Sequence, residues 1–103
     1  MAVMTPELIL KAYQKGIFPM AEARDSDLIR WVRPDYRGAM FVHRAHIPKN
    51  LRKFVRGMPY RVSASEDFRA VMLVCAEETD TRDDTWINDD ILETYCALAE
   101  LGH

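Results

Sequence analysis

Long apolar runs are missing from this sequence: none approaches the roughly 20 residues that a bilayer-crossing helix needs, and Met1 to Thr5 shows neither the charged start nor the apolar stretch of a signal peptide. Cysteine is scarce. Cys75 and Cys96 stand 21 positions apart with no CxxC spacing, which argues against a metal knuckle or a redox pair and leaves two small core residues of a reducing, cytoplasmic protein. Histidine offers little more. His43 and His46 form an HxxH pair without a further ligand of the right type nearby, so no metal is expected; His46, just before Ile47-Pro48, fits the opening of a helix better. No motif for a dissociable cofactor is present.

Charge of either sign is plentiful but unevenly placed. Residues 1–61 carry 12 Lys and Arg against 5 Asp and Glu, and residues 62–103 carry 2 against 11, so halves of +7 and −9 lie behind a net of −2. Such polarity suits a polyanion on the basic part and a basic partner on the acidic part, or two regions that attract each other, or simply solvated faces. With 103 residues the chain fits one small domain.

The organising stretch is Ala12-Tyr13-Gln14-Lys15-Gly16-Ile17-Phe18-Pro19-Met20. Thr5 as cap, Pro6 and Glu7 in the first turn, and Leu8, Ile9, Ala12 and Tyr13 at helical spacing predict a helix from about Pro6 to Lys15. Gly16 suits a left-handed residue past its end, Ile17 can pack back, and Pro19 prevents continuation. The corner gathers Tyr13, Ile17, Phe18 and Met20 either as core or as the wall of an apolar pocket.

Farther on, Leu28–Val32, with Trp31, reads as a short strand, and Gly38–Val42 as a second strand returning across Pro34-Asp35-Tyr36-Arg37. From Pro48 to Arg56 the wheel separates Leu51, Phe54 and Val55 from Lys49, Arg52, Lys53 and Arg56, with Gly57 as the stop. Four like charges at i, i+3, i+4 and i+7 repel one another, so folding does not ask for them, whereas a phosphate backbone does. The helix itself is read as supplying no aromatic group for stacking, which points to phosphate positioning rather than base reading. Tyr60–Ser63 alternates like a half-buried strand. Ser65 is placed to cap a helix with Phe68, Val71, Met72 and Cys75 on its apolar face, and Glu78–Asp84 is an exposed loop. Thr85-Trp86-Ile87-Asn88 then leads into a last helix, with Asn88 as cap, Ile91, Tyr95 and Leu98 on one face, and Gly102 as the stop. Trp86 either anchors that loop to the core or, with Tyr95, lines a cavity. The acidic pairs Asp83-Asp84 and Asp89-Asp90 read as loop and helix-dipole acids.

The ordered set AYQKGIFPM, Trp31-x-x-Pro34-x-x-Arg37, His46-Ile47, Pro59-Tyr60-Arg61-Val62, Phe68, Val71, Cys75-Ala76, Thr85-Trp86-Ile87 and Tyr95 with Leu101-Gly102-His103 resembles the N-terminal part of leucyl/phenylalanyl-tRNA–protein transferases. The resemblance covers residues 5–103. It implies an α+β fold: a small N-terminal domain of helices packed on a short antiparallel sheet, filling residues 1–103, and normally joined to an acetyltransferase-like (GNAT-type) domain that is absent here.

The implied activity moves Leu, Phe or Met from aminoacyl-tRNA to the N-terminal Arg or Lys of an acceptor protein, marking it for degradation. No ATP is needed. The implied pocket for the aminoacyl side chain and terminal adenosine consists of Tyr13, Met20, Trp86 and Tyr95, where Met20 departs from the Trp of many members. Lys49, Arg52, Lys53 and Arg56 are the expected tRNA phosphate contacts. Family members continue beyond the LGH segment into the domain that holds the residues assisting amine attack, so no catalytic residue is expected here, and the isolated chain is expected to be inactive. A monomer is expected of the full-length enzyme. The competing expectations are a stand-alone tRNA- or RNA-binding module, and a folded remnant whose exposed apolar surface drives self-association.

Overall fold

A computed structural model describes residues 3–64 and 66–103. The elements run α1 (Pro6–Gln14), β1 (Phe18–Ala21), β2 (Ile29–Val32), a 3-10 turn (Val42–Arg44), α2 (Lys49–Gly57), α3 (Phe68–Cys75) and α4 (Asp89–Glu100). Among the described residues, four α-helices and one two-stranded antiparallel sheet make the class α+β. The chain divides into two compact units, one formed by residues 1–34 and 65–103 and the other by residues 35–64.

In the first unit, Thr5 caps α1 by accepting a hydrogen bond from the Leu8 amide at 3.2 Å. The helix closes as the sequence predicts. Gly16 takes a φ of 74°, its amide donates to the Tyr13 carbonyl, and the Ile17 amide donates to the Ala12 carbonyl, both at 2.9 Å. This is the paired 5→2 and 6→1 closure that satisfies the last carbonyls of a helix. The same closure ends α4, where Gly102 at φ 88° donates to Ala99 and His103 donates to Leu98.

Pro19 does more than stop α1. It lies within β1, which pairs antiparallel with β2 so that Phe18 faces Val32 and Ala21 faces Ile29. The true partner of β2 is therefore this upstream strand. The expected second strand at Gly38–Val42 does not form; Val42 opens the 3-10 turn instead. The upstream strand wins because Phe18–Ala21 follows a fixed helix end and alternates half-buried with buried side chains, putting Pro19 and Ala21 on the core side.

Ala21, Ala76, Ile87 and Ile91 form the central core cluster, with Met4, Ile29, Met72, Leu92 and Tyr95 packed against it. Asn88 joins the pieces. Its Oδ1 accepts from the Ile91 amide at 2.9 Å, capping α4, while its Nδ2 donates to the Ser26 carbonyl at 2.9 Å. A good cap stabilises by ~1 kcal/mol, and here the same side chain also fixes the β1–β2 loop. Asp84 Oδ1 accepts from the amides of Arg24 at 3.0 Å and Thr85 at 2.7 Å, which holds its carboxyl below the usual range. The Arg24 guanidinium donates to the Ala76 carbonyl.

Ser65 lies outside the described residues; the cap of α3 is Asp67, whose side chain accepts from the Ala70 amide at 3.2 Å. The apolar face expected of this helix is largely uncovered, for no residue of α3 is fully buried and Cys75 is exposed, whereas Cys96 is buried. A bidentate pair from Arg69 to Glu93, at 2.7 and 2.8 Å, ties α3 to α4 and lowers the Glu93 carboxyl. The acidic loop contains a tight turn in which Thr79 and Arg82 exchange backbone hydrogen bonds.

In the second unit α2 forms over nearly the expected span, with Pro48 as its cap residue. Gly57 is its last helical residue rather than a left-handed stop, since Met58 leaves in extended conformation. Tyr60–Ser63 does not become a strand. No described residue of 35–64 is buried, so a half-buried strand there has no core to face.

Candidate functional site

Leu10 and Tyr13 lie one turn apart on α1. Tyr95, Leu98, Ala99 and Gly102 lie at i, i+3, i+4 and i+7 along α4 and its closing turn. Together with Phe68 and His103 they line a cavity of about 410 Å³, within the ~300–1,000 Å³ range of small-molecule sites. Both glycine-closed helix ends have placed it there: one keeps Tyr13 in the last turn of α1, the other folds Gly102 and His103 back over α4. The lining contains no carboxylate.

The Tyr13 and Tyr95 hydroxyls meet at 2.6 Å, and their rings are 6.3 Å apart at a 56° tilt. Two phenols offer two O–H donors, and one is used between them. The other remains free to donate to a ligand oxygen. Burial first, and the hydrogen bond with Tyr13 second, push the Tyr95 phenol above its ordinary 10.0, so Tyr95 keeps its proton at physiological pH. The cavity is largely apolar, with the paired hydroxyls and His103 as its polar groups, and it suits an unbranched or branched hydrocarbon side chain attached to a polar head.

This upward shift has a stability consequence. The native state holds the Tyr95 proton more tightly than the unfolded chain does, so the stability it contributes is intact below pH about 10 and is lost as pH climbs above it. Tyr95→Phe is expected to lose ~0.5–1.5 kcal/mol near neutral pH, from the missing hydrogen bond, and to show a flatter alkaline decline. Urea unfolding at neutral pH and above pH about 10 checks both; an unaltered alkaline limb in the variant excludes Tyr95 as its source.

Of the four residues expected to share a pocket, the structure brings Tyr13 and Tyr95 into this one. Met20 and Trp86 are not among its lining residues. Met20 sits half-buried on the outer side of β1, across from Arg30. Trp86 adjoins it through the backbone, because the Ala21 amide donates to the Trp86 carbonyl at 3.0 Å. Its side chain is 43% exposed, and the neighbouring Ile87 is the one that anchors the loop in the core. Leu10, Phe68, Leu98, Ala99, Gly102 and His103 complete the lining; the i, i+3, i+4, i+7 stripe from Tyr95 was the sequence signal for half of them.

The second unit holds the other expected site. Residues 35–64 contain Arg37, Arg44, Lys49, Arg52, Lys53, Arg56 and Arg61 against a single acid, Asp35. Lys49, Arg52, Lys53 and Arg56 are all exposed on α2. So is its apolar side: Leu51, Phe54 and Val55 are exposed, Phe54 by 61%. An aromatic ring is therefore available beside the cations, contrary to the expectation of a purely phosphate-positioning surface.

The family model for the leucyl/phenylalanyl-tRNA protein transferase N-terminal domain matches residues 3–35, and that for leucyl/phenylalanyl-tRNA protein transferase matches residues 39–103. The chain belongs to this transferase family. Among relatives bearing that transferase name, the one from Dinoroseobacter shibae is 43% identical over 96% of this chain and 43% of its own length. That from Cereibacter sphaeroides is 45% identical over 97% of the chain and 45% of its own length. That from Paramagnetospirillum magneticum is 40% identical over 99% and 49%. The chain thus spans less than half the length of these transferases. No solved structure matches it. Among the described residues no helix is long and apolar enough to cross a membrane, and no group of three or more His, Cys, Asp and Glu could hold a metal ion.

Proposed function

We propose that this chain is the aminoacyl- and tRNA-binding part of a cytoplasmic transferase that moves Leu, Phe or Met from aminoacyl-tRNA to the N-terminal Arg or Lys of an acceptor protein, tagging it for degradation. The observation that carries the reading is the apolar cavity closed by the Tyr13–Tyr95 pair in a chain of this family. Residues 1–103 serve as a single N-terminal domain, and the attack of the amine takes place with a following acetyltransferase-like domain that supplies the acidic and amide groups.

The reaction needs the ester carbonyl held still, a neutral amine and stabilisation of the tetrahedral oxyanion. This chain contributes the first. Leu10, Phe68 and Leu98 take up the hydrocarbon side chain, a charged one being rejected by desolvation, and the free phenol proton of the tyrosine pair orients the ester. Discrimination between close hydrocarbon homologues is modest, since each buried methylene is worth ~0.8 kcal/mol. Met20 and Trp86, outside that cavity and linked by the hydrogen bond from the Ala21 amide to the Trp86 carbonyl, form a separate wall for the adenosine end. Lys49, Arg52, Lys53 and Arg56 hold tRNA phosphates, in contacts that are salt-sensitive and tolerant of sequence.

The test joins this chain to the C-terminal part of the Dinoroseobacter shibae relative, beginning where the match ends. The chimera is expected to transfer labelled Leu or Phe to an Arg-starting peptide and not to an Asp-starting one, and the chain alone to transfer neither. A soluble chimera that binds aminoacyl-tRNA without transfer rejects the transferase reading.

A further inference from the structure

The exposed apolar side of α2 is left unused by phosphate contacts. Asn50, Lys53, Phe54 and Gly57 lie at i, i+3, i+4 and i+7, one stripe along the helix, and with Met58 and Pro59 they line a shallow groove of about 420 Å³. A stripe that mixes an amide, an ammonium and an aromatic ring is not a core face. The second unit gives the ring nothing to pack under, for Phe54 is 61% exposed. At Gly57 an added Cβ would meet no atom within 4 Å, and its φ is ordinary, so this glycine is required by neither backbone nor packing. Its missing side chain leaves the groove open beside the ring.

We infer that this groove is a subsite for one unpaired nucleotide of an RNA strand, with the base stacked on Phe54, its edge within reach of the Asn50 amide and its phosphate held by Lys53. The inference rests on the reading of α2 as an RNA surface and adds to it a contact that distinguishes unpaired from duplex RNA. Charge selects the occupant: seven Lys and Arg against one Asp in residues 35–64 favour a polyanion over an apolar protein segment. Aromatic rings set among cations are the means by which proteins bind single strands with little sequence preference, because every base has a π face. The duplex surface offers phosphates to the same cations but no free face to the ring.

The measurement is the affinity of the chain for a short oligoadenylate and for a blunt-ended RNA duplex of equal charge, at one fixed ionic strength. Phe54→Ala is expected to weaken oligoadenylate binding roughly 5- to 150-fold, the range of one base–aromatic stack, and to leave duplex binding within about twofold of the parent. Phe54→Leu, which keeps the apolar bulk, is expected to lose as much as alanine, and Phe54→Trp to retain the parent's affinity. Unchanged oligoadenylate binding in Phe54→Ala, equal weakening of both RNAs, or parental affinity in Phe54→Leu overturns the subsite while the phosphate surface stands. A parent chain that binds neither RNA overturns the phosphate surface and the subsite together.

Discussion

Ile91→Ala is expected to lower the free energy of unfolding by ~2–5 kcal/mol, the range for a buried Ile truncated to Ala. Ile91 has no exposed surface and is the α4 member of the cluster that also takes Ala21 from β1, Ala76 from the end of α3 and Ile87 from the loop before α4. Two of those neighbours are alanines, which have no side-chain freedom with which to fill the gap. The loss therefore belongs toward the upper end. Against a total of ~5–15 kcal/mol for a domain, and with roughly 4–8 °C of melting temperature per kcal/mol, the midpoint should fall by ~10–30 °C. Ile91→Val should cost only ~0.5–1.5 kcal/mol. Thermal unfolding followed by circular dichroism decides it: a fall of a degree or two in the alanine variant would show that the centre of the core lies elsewhere.

Changing Arg52, Lys53 and Arg56 together to Ala is expected to act on binding alone. Each phosphate contact contributes ~0.7–0.9 to the slope of log affinity against log salt, so three lost contacts flatten that slope by roughly 2–3. Between 50 and 200 mM salt the parent should lose roughly 20–40-fold more tRNA affinity than the variant does. Stability should hold or rise, because like charges at i, i+3 and i+4 are removed and alanine is the better helix former. Titration of tRNA at several salt concentrations gives the slope; an unaltered slope would mean that these three cations face no phosphate.

Local signals in the sequence were reliable wherever one residue decides one backbone feature. Thr5, Asn88, Gly16 and Gly102 sit where cap chemistry and left-handed geometry demand. The stripe on α4 followed from helical periodicity. Pairing was less legible. Phe18–Ala21 reads as the tail of a helix stop, and only its register with Ile29–Val32 makes it a strand. Exposure was the least legible property. Leu51, Phe54 and Val55 have the spacing of a core face, and so have Val71 and Cys75, but periodicity records which residues share a side, never whether that side is covered. Trp86 shows the same limit, since the largest side chain of its motif stays half-open while Ile87 is buried.

The hydroxyl bond between Tyr13 and Tyr95 spans 82 positions, uniting the first helix with the last. At a synthesis rate of ~5–20 residues per second, α1 emerges from the ribosome some 4–16 s before α4 exists. Until then Tyr13 and Leu10 have no α4 face to join, and Ala21 of β1 lacks Ala76, Ile87 and Ile91 to pack against. Residues 35–64 pass through that interval as the tether, and each doubling of such a loop costs only ~0.6 kcal/mol of closure entropy. The first unit can therefore assemble only once α4 is made, and a nascent chain halted before Asp89 has neither cavity nor core.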